Sequence, residues 1–360
     1  MNAEDPFLLS GKPLIVGTGL ISLDIVLGQV ASASPQLYAG GTCGNLLTIM
    51  SYLGWRSFPV ARLNGDKASK HVVADLKRWG VRTDWATTQP GSDTPIIVQR
   101  IKKSADGEVS HRFSWRCPSC GAWLPGYAAV PAAAAQGITA FVRTAKVFFF
   151  DRVSRGAINL ASFYRDAGSL VVFEPSGVGD PRLFREALEY AHIVKYSQDR
   201  INQIRGITKI KGPLLEIQTH AAQGLRYRRL DSFASSKMWK EVAAVDTEAI
   251  KDTSGAGDWC SAGIIHYLGQ LGREGFERTT DARIRNAIKF GQAMAAWNCK
   301  FEGARGGMYV YNKRTFRKMV CNLLVGRDGP LRSIPLAEPR RKGVDCLSPA
   351  CRRSRGNCSK

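Results

Sequence analysis

Short apolar runs recur along this chain with longer amphipathic stretches between several of them, and this alternation constrains the fold more than any other feature. The runs Pro13 to Gly17, Pro95 to Ile101, Lys146 to Phe150, Ser169 to Phe173, His192 to Tyr196 and Leu214 to Thr219 are rich in β-branched and aromatic residues. Runs of that length and composition predict strands. Apolar residues return at helical spacing at Asn45 to Leu53, Ala68 to Trp79, Ile158 to Arg165 and Pro181 to Tyr190. The last opens with Asp180 at the N-cap position and Pro181 at the first helical position, where its missing N–H costs nothing. Strand then helix, repeated, predicts an α/β fold: a central, mostly parallel sheet with helices on both faces. With 360 residues and 44% hydrophobic content, the chain can fill such a core. No repeat at a solenoid period is present.

One segment departs from the alternation. Asp93 to Trp115 interleaves polar and apolar residues around Ala105-Asp106-Gly107, a turn signal, and predicts a hairpin that could serve as a lid beside the α/β core.

Charge narrows the ligand classes. Lys and Arg number 51 against 30 Asp and Glu, a net charge of +21, which draws in nucleotides, phosphorylated metabolites or nucleic acid. Residues 326–360 carry nine Lys/Arg, three Asp/Glu and four Pro, with few large apolar residues, and are expected to be a disordered, Cys-containing basic tail. Arg226, Arg228, Arg229 and Lys240 interleave with Tyr227 and Trp239; a solvated face that attracts ATP is the first reading of this cluster, a nucleic-acid surface the second.

No run approaches the roughly 18 to 20 apolar residues of a membrane span, and the N-terminus lacks a signal-peptide pattern, so a cytoplasmic protein is expected. The nine cysteines, mostly single, read as reduced thiols. Cys117-Pro118-Ser119-Cys120 has zinc-knuckle spacing, but only His111 lies near and Cys346, Cys351 and Cys358 are irregularly spaced; no metal site is assigned.

The sharpest chemical signal is Lys251-Asp252-Thr253-Ser254-Gly255-Ala256-Gly257-Asp258, followed by the small and apolar Trp259 to Ile265. A glycine-rich turn running into a buried helix aims the backbone N–H groups of Gly255, Ala256 and Gly257 at one spot, where the positive end of the helix favours phosphate. Asp258, at the same place, is expected to be ionised and to accept a proton from an attacking hydroxyl. An anion hole beside a base is most of what phosphoryl transfer requires of a protein. Gly17-Thr18-Gly19-Leu20-Ile21-Ser22 imitates a dinucleotide fingerprint but has Ser at the third glycine, and no P-loop sequence occurs.

Asp252 to Asp258 resembles the C-terminal signature of the PfkB, or ribokinase-like, carbohydrate kinase family. Gly40-Gly41-Thr42-Cys43-Gly44-Asn45 is similar to the family's N-terminal Gly-Gly-x-x-x-Asn element, and Asn64-Gly65-Asp66 with Leu76 to Val81 resembles its Gly-Asp segment and following helix. The resemblance spans about residues 12–312. It implies a ribokinase-like fold over residues 12–325, with a small β lid drawn from about 30–38 and 93–116. It also implies ATP-dependent phosphorylation of a sugar or sugar-bearing nucleoside, with Mg2+, and substrate contacts at Asp24, Gly40, Gly41 and Asn45. Asp24 is expected just after the first strand. A carboxylate and an amide suit adjacent hydroxyls, which need paired acceptors and donors.

On the nucleotide side the family shows Lys-x-Asn-x-x-Glu and then Thr-x-Gly-x-x-Gly. This chain has Lys195-Tyr196-Ser197-Gln198-Asp199-Arg200, with Ser and Arg in place of Asn and Glu, and Thr219 to Gly224 with Ala221 at the first glycine. Lys195, Thr219, Gly224 and Thr253 are the expected nucleotide contacts. The departures leave a second reading open, a catalytically weak kinase-fold protein with a regulatory or nucleic-acid-binding role. Lid strands can pair edge to edge, so a homodimer through the lid is a further expectation.

Overall fold

The computed structural model describes residues 5–28, 35–88, 92–103, 109–200, 213–230, 238–248 and 250–327. Residues 328–360 of the basic tail and the Ala105-Asp106-Gly107 turn lie outside them. In chain order the elements are β1 (Leu14–Thr18), β2 (Ser22–Leu27), β3 (Gln36–Gly40), α1 (Thr42–Tyr52), β4 (Arg56–Leu63), α2 (Lys67–Arg78), β5 (Ala86–Thr88), β6 (Ile96–Lys103), β7 (Val109–Ser114), α3 (Ala132–Phe141), β8 (Val147–Phe150), α4 (Arg155–Asp166), β9 (Leu170–Phe173), α5 (Pro181–Tyr190), β10 (Ile193–Ser197), β11 (Leu215–Thr219), β12 (Leu225–Arg229), β13 (Lys240–Val242), α6 (Ala256–Leu268), α7 (Gly272–Glu277), α8 (Asp281–Asn298), α9 (Gly306–Val310) and α10 (Lys313–Leu324).

Nine strands form one sheet in the order β13-β12-β11-β10-β9-β8-β1-β4-β5. Every neighbouring pair from β5 to β11 is parallel, and β12 and β13 are added antiparallel at one edge. Side chains alternate across this sheet with the period of two that a strand imposes. Ile15, Val147, Phe149, Leu170, Val172, Ile193 and Ile217 enter the core shared with α1, α6, α8 and α10. Val16, Phe148, Phe150, Val171, Phe173 and Val194 enter a second core shared with α3, α4 and α5. Both faces are buried, which is why these strands read as unbroken apolar runs in the sequence. The α5 start is capped as the sequence indicates, with Asp180 Oδ1 accepting from the Arg182 and Leu183 amides.

A separate four-stranded sheet, ordered β3-β2-β6-β7, is the lid. The expected hairpin is β6 with β7, antiparallel from Val98↔Ser114 to Lys103↔Val109. The lid holds more of the chain than the sequence indicates, because Ser22–Leu27 is also one of its strands, parallel to β6 and antiparallel to β3. Asp24 therefore sits within β2 and not in a loop after β1. Helix α2 packs against β2 and β3 and ties the lid to the main body. Among the described residues no helix is long and apolar enough to cross a membrane.

Candidate active site

Gly255 begins the site. It caps α6 in the left-handed region, with φ 72°, and a Cβ there would lie 2.4 Å from the Ala304 carbonyl oxygen, so both its torsion and its neighbours require glycine. The preceding turn is held by Asp252, fully buried, whose carboxylate accepts from the Ser254 amide and hydroxyl at 2.9 and 2.8 Å and from the Gly303 amide at 2.8 Å. Gln99 of β6 donates to the same carboxylate at 2.8 Å, and Thr253 Oγ1 is 3.2 Å from His111 Nδ1 of β7. The lid is thus bonded directly to the glycine-rich turn. The Ala256 amide closes that turn onto the Thr253 carbonyl at 3.2 Å, while Gly255, Ala256 and Gly257 form the N-terminal end of α6.

Asp258 lies in the first turn of α6, 8% exposed, with Oδ2 accepting from Asn45 Nδ2 at 2.8 Å. Asn45 is one turn into α1 and 4% exposed. Its Oδ1 accepts from Arg305 Nε at 3.0 Å. Arg305 is 2% exposed; its Nη2 donates to Asp75 Oδ2 at 2.9 Å and also to the Ala39 carbonyl, while its Nη1 is buried without a partner. Asp24 faces the same region from the lid. Ser22 donates to its Oδ1 at 2.7 Å, the Gly41 amide also bonds it, and it lies so close to Gly40 that a Cβ there would come within 1.9 Å of its Oδ2. The sequence brings Asp24, Gly40, Gly41, Asn45 and Asp258 into one cluster.

Burial sets the electrostatics of this cluster. It pushes the Asp24 carboxyl up to about 6, against the lowering effects of Ser22, Arg305 and Gly41. It pushes Asp258 well above the usual carboxylate range, aided by the Glu174 charge and opposed by Asn45 and Lys195. Burial therefore outweighs the helix end, against the expectation that Asp258 is held ionised. Asp151, at the end of β8, is likewise raised to about 6 by burial.

On the other side of α6, Lys195 of β10 pairs with Glu174 at 2.7 Å and donates to the Gly257 carbonyl at 3.2 Å. Burial works against its charge, but Glu174, Cys260 and Asp258 outweigh that cost and its pKa lies above the lysine norm. Ser197 and Thr219 are register partners at the C-terminal ends of the parallel strands β10 and β11. Gly224 follows a short 3-10 turn, Ala221–Gln223, and leads into β12. Thr219 and Gly224 thus stand beyond Lys195 along the same end of the sheet, without a bond to the Asp258 cluster.

The family model for pfkB family carbohydrate kinase matches residues 15–309. This chain belongs to the PfkB carbohydrate kinase family. It is 23% identical over 321 residues to probable fructokinase-5 of Arabidopsis thaliana, covering 80% of this chain and 92% of that protein. Among solved structures, this PfkB chain is similar to a fructokinase with bound ATP from Xylella fastidiosa, with TM-score 0.65, 17% identity and coverage of 87% of this chain and 98% of that one. It is also similar to Arabidopsis thaliana ribokinase complexed with ribose and ATP, with TM-score 0.60, 17% identity and coverage of 87% and 99%. The ribokinase-like fold of this PfkB protein, with its mostly parallel sheet and β lid, is the one those structures share.

Several residues of the candidate site belong to none of the sequence motifs. Asp151 and Glu174 are acidic residues placed directly after the buried strands β8 and β9, and strand C-terminal ends are where α/β sheets bind ligands; that signal was available. Arg305, Asp75 and Gln99 carry no such mark. In the basic segment the charged side chains are partnered and partly buried. Arg228 Nε donates to the buried Glu216 at 2.7 Å and Arg226 Nε to Gln218 at 2.7 Å, with both guanidiniums stacked on Trp239 at 4.4 and 4.5 Å. Arg229 is buried against the Thr279 carbonyl, and Lys240 pairs with Asp281 at 2.8 Å. Among the described residues no group of three or more His, Cys, Asp or Glu could hold a metal ion.

Proposed function

We propose that this PfkB chain transfers the γ-phosphoryl group of ATP, presented with Mg2+ as its substrate complex, to a hydroxyl of a sugar, with Asp258 as the general base. The acceptor oxygen attacks the γ-phosphorus, the bond to the β,γ-bridging oxygen breaks, ADP leaves, and the hydroxyl proton passes to Asp258. The Gly255, Ala256 and Gly257 backbone stabilises the charge that develops on the transferred group. Asp24, Gly40, Gly41 and Asn45 hold the acceptor. Lys195, Thr219, Gly224 and Thr253 serve the nucleotide.

The observation that carries this reading is the 2.8 Å bond between Asn45 and Asp258, residues 213 apart in sequence. It joins the candidate acceptor-holding helix α1 to the candidate base in α6, beside the lid residue Asp24.

Steady-state ADP formation with a panel of fructose, ribose, other pentoses and hexoses, and nucleosides tests the proposal; fructose comes first because the curated relatives are named fructokinases. One sugar should stimulate turnover, and Asp258→Asn should lower kcat by about 10²- to 10⁴-fold at unchanged folding. If no sugar stimulates ATP turnover, the proposal fails and Ser197, Arg200 and Ala221 mark a chain that has lost the reaction.

A further inference from the structure

Arg305, 2% exposed, is among the most deeply buried charges at this site, and neither the motifs nor the family resemblance gives it a role. We propose that Arg305 is a positioning residue for the base: it fixes the Asn45 side-chain amide so that Nδ2, and not Oδ1, is presented to Asp258. The proposal rests on the reading of Asp258 as the base, but its test does not.

The argument is one of donors and acceptors. A guanidinium only donates and an ionised carboxylate only accepts, whereas an asparagine amide can present either end. Asn45 stands between the two, 3.0 Å from Arg305 Nε through Oδ1 and 2.8 Å from Asp258 Oδ2 through Nδ2. Turning the amide over would set an NH₂ against the guanidinium and a carbonyl against the carboxylate, losing both bonds at once in a buried site where each is costly. Without Arg305 only one end of the amide is specified. With it, Oδ2 of Asp258 is occupied and the other carboxylate oxygen is left to take the proton.

Arg305 can do this only because it is itself fixed. Asp75 of α2 accepts from its Nη2 at 2.9 Å, and that carboxylate also accepts from the Tyr309 hydroxyl and the Ala39 amide, each at 2.9 Å. The chain of bonds runs from Asp75 through Arg305 and Asn45 to Asp258, crossing from the helix beneath the lid to the start of α6. The charges facing Asp258 are Glu174 from the end of β9, Lys195 from β10 and Asp151 from the end of β8; those facing Arg305 are Asp75 and Asp24. With Glu174 and Asp151 both disfavouring its ionised form, Asp258 depends on Lys195 and on the amide of Asn45 to be ionised.

The experiment follows the Asp258 carboxyl itself, by NMR titration of full-length protein carrying ¹³C-carboxyl aspartate, with the resonance assigned by its loss in Asp258→Asn. Arg305→Met should raise the Asp258 midpoint by about one pH unit, since a bond to a charged group is lost. Asn45→Ala should raise it comparably, and the two together should add little, because they remove the same bond. Arg305→Lys keeps the charge but cannot make the paired bonds, and should restore only part of the shift. If Arg305→Met unfolds because Asp75 is left unpaired, Asp75→Asn with Arg305→Met removes both charges and the same shift is expected. An Asp258 midpoint that moves in Asn45→Ala but stays in place in the Arg305 variants overturns the proposal. Loss of sugar-dependent turnover in the unmodified protein would overturn the kinase reading instead, and the titration would still decide the role of Arg305.

Discussion

At one end of the candidate site Asp24, Asn45 and Asp258 are 8%, 4% and 8% exposed and hold side-chain bonds, Asn45 to Asp258 and Ser22 to Asp24; at the other, Thr219 and Gly224 flank the short 3-10 turn Ala221–Gln223. The first end keeps every residue that the PfkB pattern places there, and the second departs from it. Buried carboxylates and amides have few substitutes, because removing one strands its partner. A backbone cradle tolerates changes of side chain so long as the torsions can be met. Ala221 shows the limit of that tolerance: it is the one non-glycine residue with positive φ among the described residues, at 48°, where the family has glycine. Left-handed backbone costs a residue with a Cβ roughly 1 to 2 kcal/mol.

The comparison breaks most readily at the acceptor end. Asp258→Asn, with its expected loss of about 10²- to 10⁴-fold in kcat, should leave the KM for ATP within about two-fold; a parallel rise in the ATP KM would show that the two ends are not separable. Next in size, Asp24→Asn should raise the acceptor KM by roughly 10- to 100-fold, the worth of a bond to a charged group. The pH dependence has a definite sign. The Asp24 carboxyl titrates near 6 in the folded protein, so it is ionised and accepting above that pH and protonated below it. Acceptor KM should therefore climb as pH falls through about 6, and the climb should be absent in Asp24→Asn. The same raised pKa means that Asp24 contributes stability below its unfolded value near 3.8 that is lost as pH rises through about 6. The smallest effect is expected at the nucleotide end, where Ala221→Gly should relieve the torsion, raise the melting temperature by roughly 2 °C and lower the KM for ATP slightly without touching the acceptor KM. A fall in stability would mean that Ala221 is not strained.

What the sequence makes legible follows the same division. Strands β8, β9 and β10 are visible because both of their faces are apolar, and α5 because its cap and its proline act locally. The glycine-rich turn and Asp258 are adjacent residues and can be read as a unit. Strand β2 is hidden by the glycines before it, and because a lid strand with Asp24 in its middle lacks an apolar run's signature. The fate of Arg226, Arg228 and Lys240 is equally hidden, since Glu216, Gln218 and Asp281 lie on other strands and helices and only the folded register sets them opposite. Arg305 is the extreme case, an unremarkable arginine after a glycine and an alanine whose partners are named only by the tertiary fold.

The bonds that link Asp75, Arg305, Asn45 and Asp258 bring together segments 213, 230 and 260 residues apart. Contacts of that separation close large loops and form after the local ones. A chain emerging from the ribosome can therefore lay down β1, α1 and much of the parallel sheet long before Arg305 has been synthesised, and Asn45 lacks its Arg305 partner throughout that interval and its Asp258 partner for most of it. The constellation is completed only with the last tenth or so of the described chain, so a product truncated just ahead of Arg305 would retain every strand of both sheets and lack the link from Asp75 to Asn45.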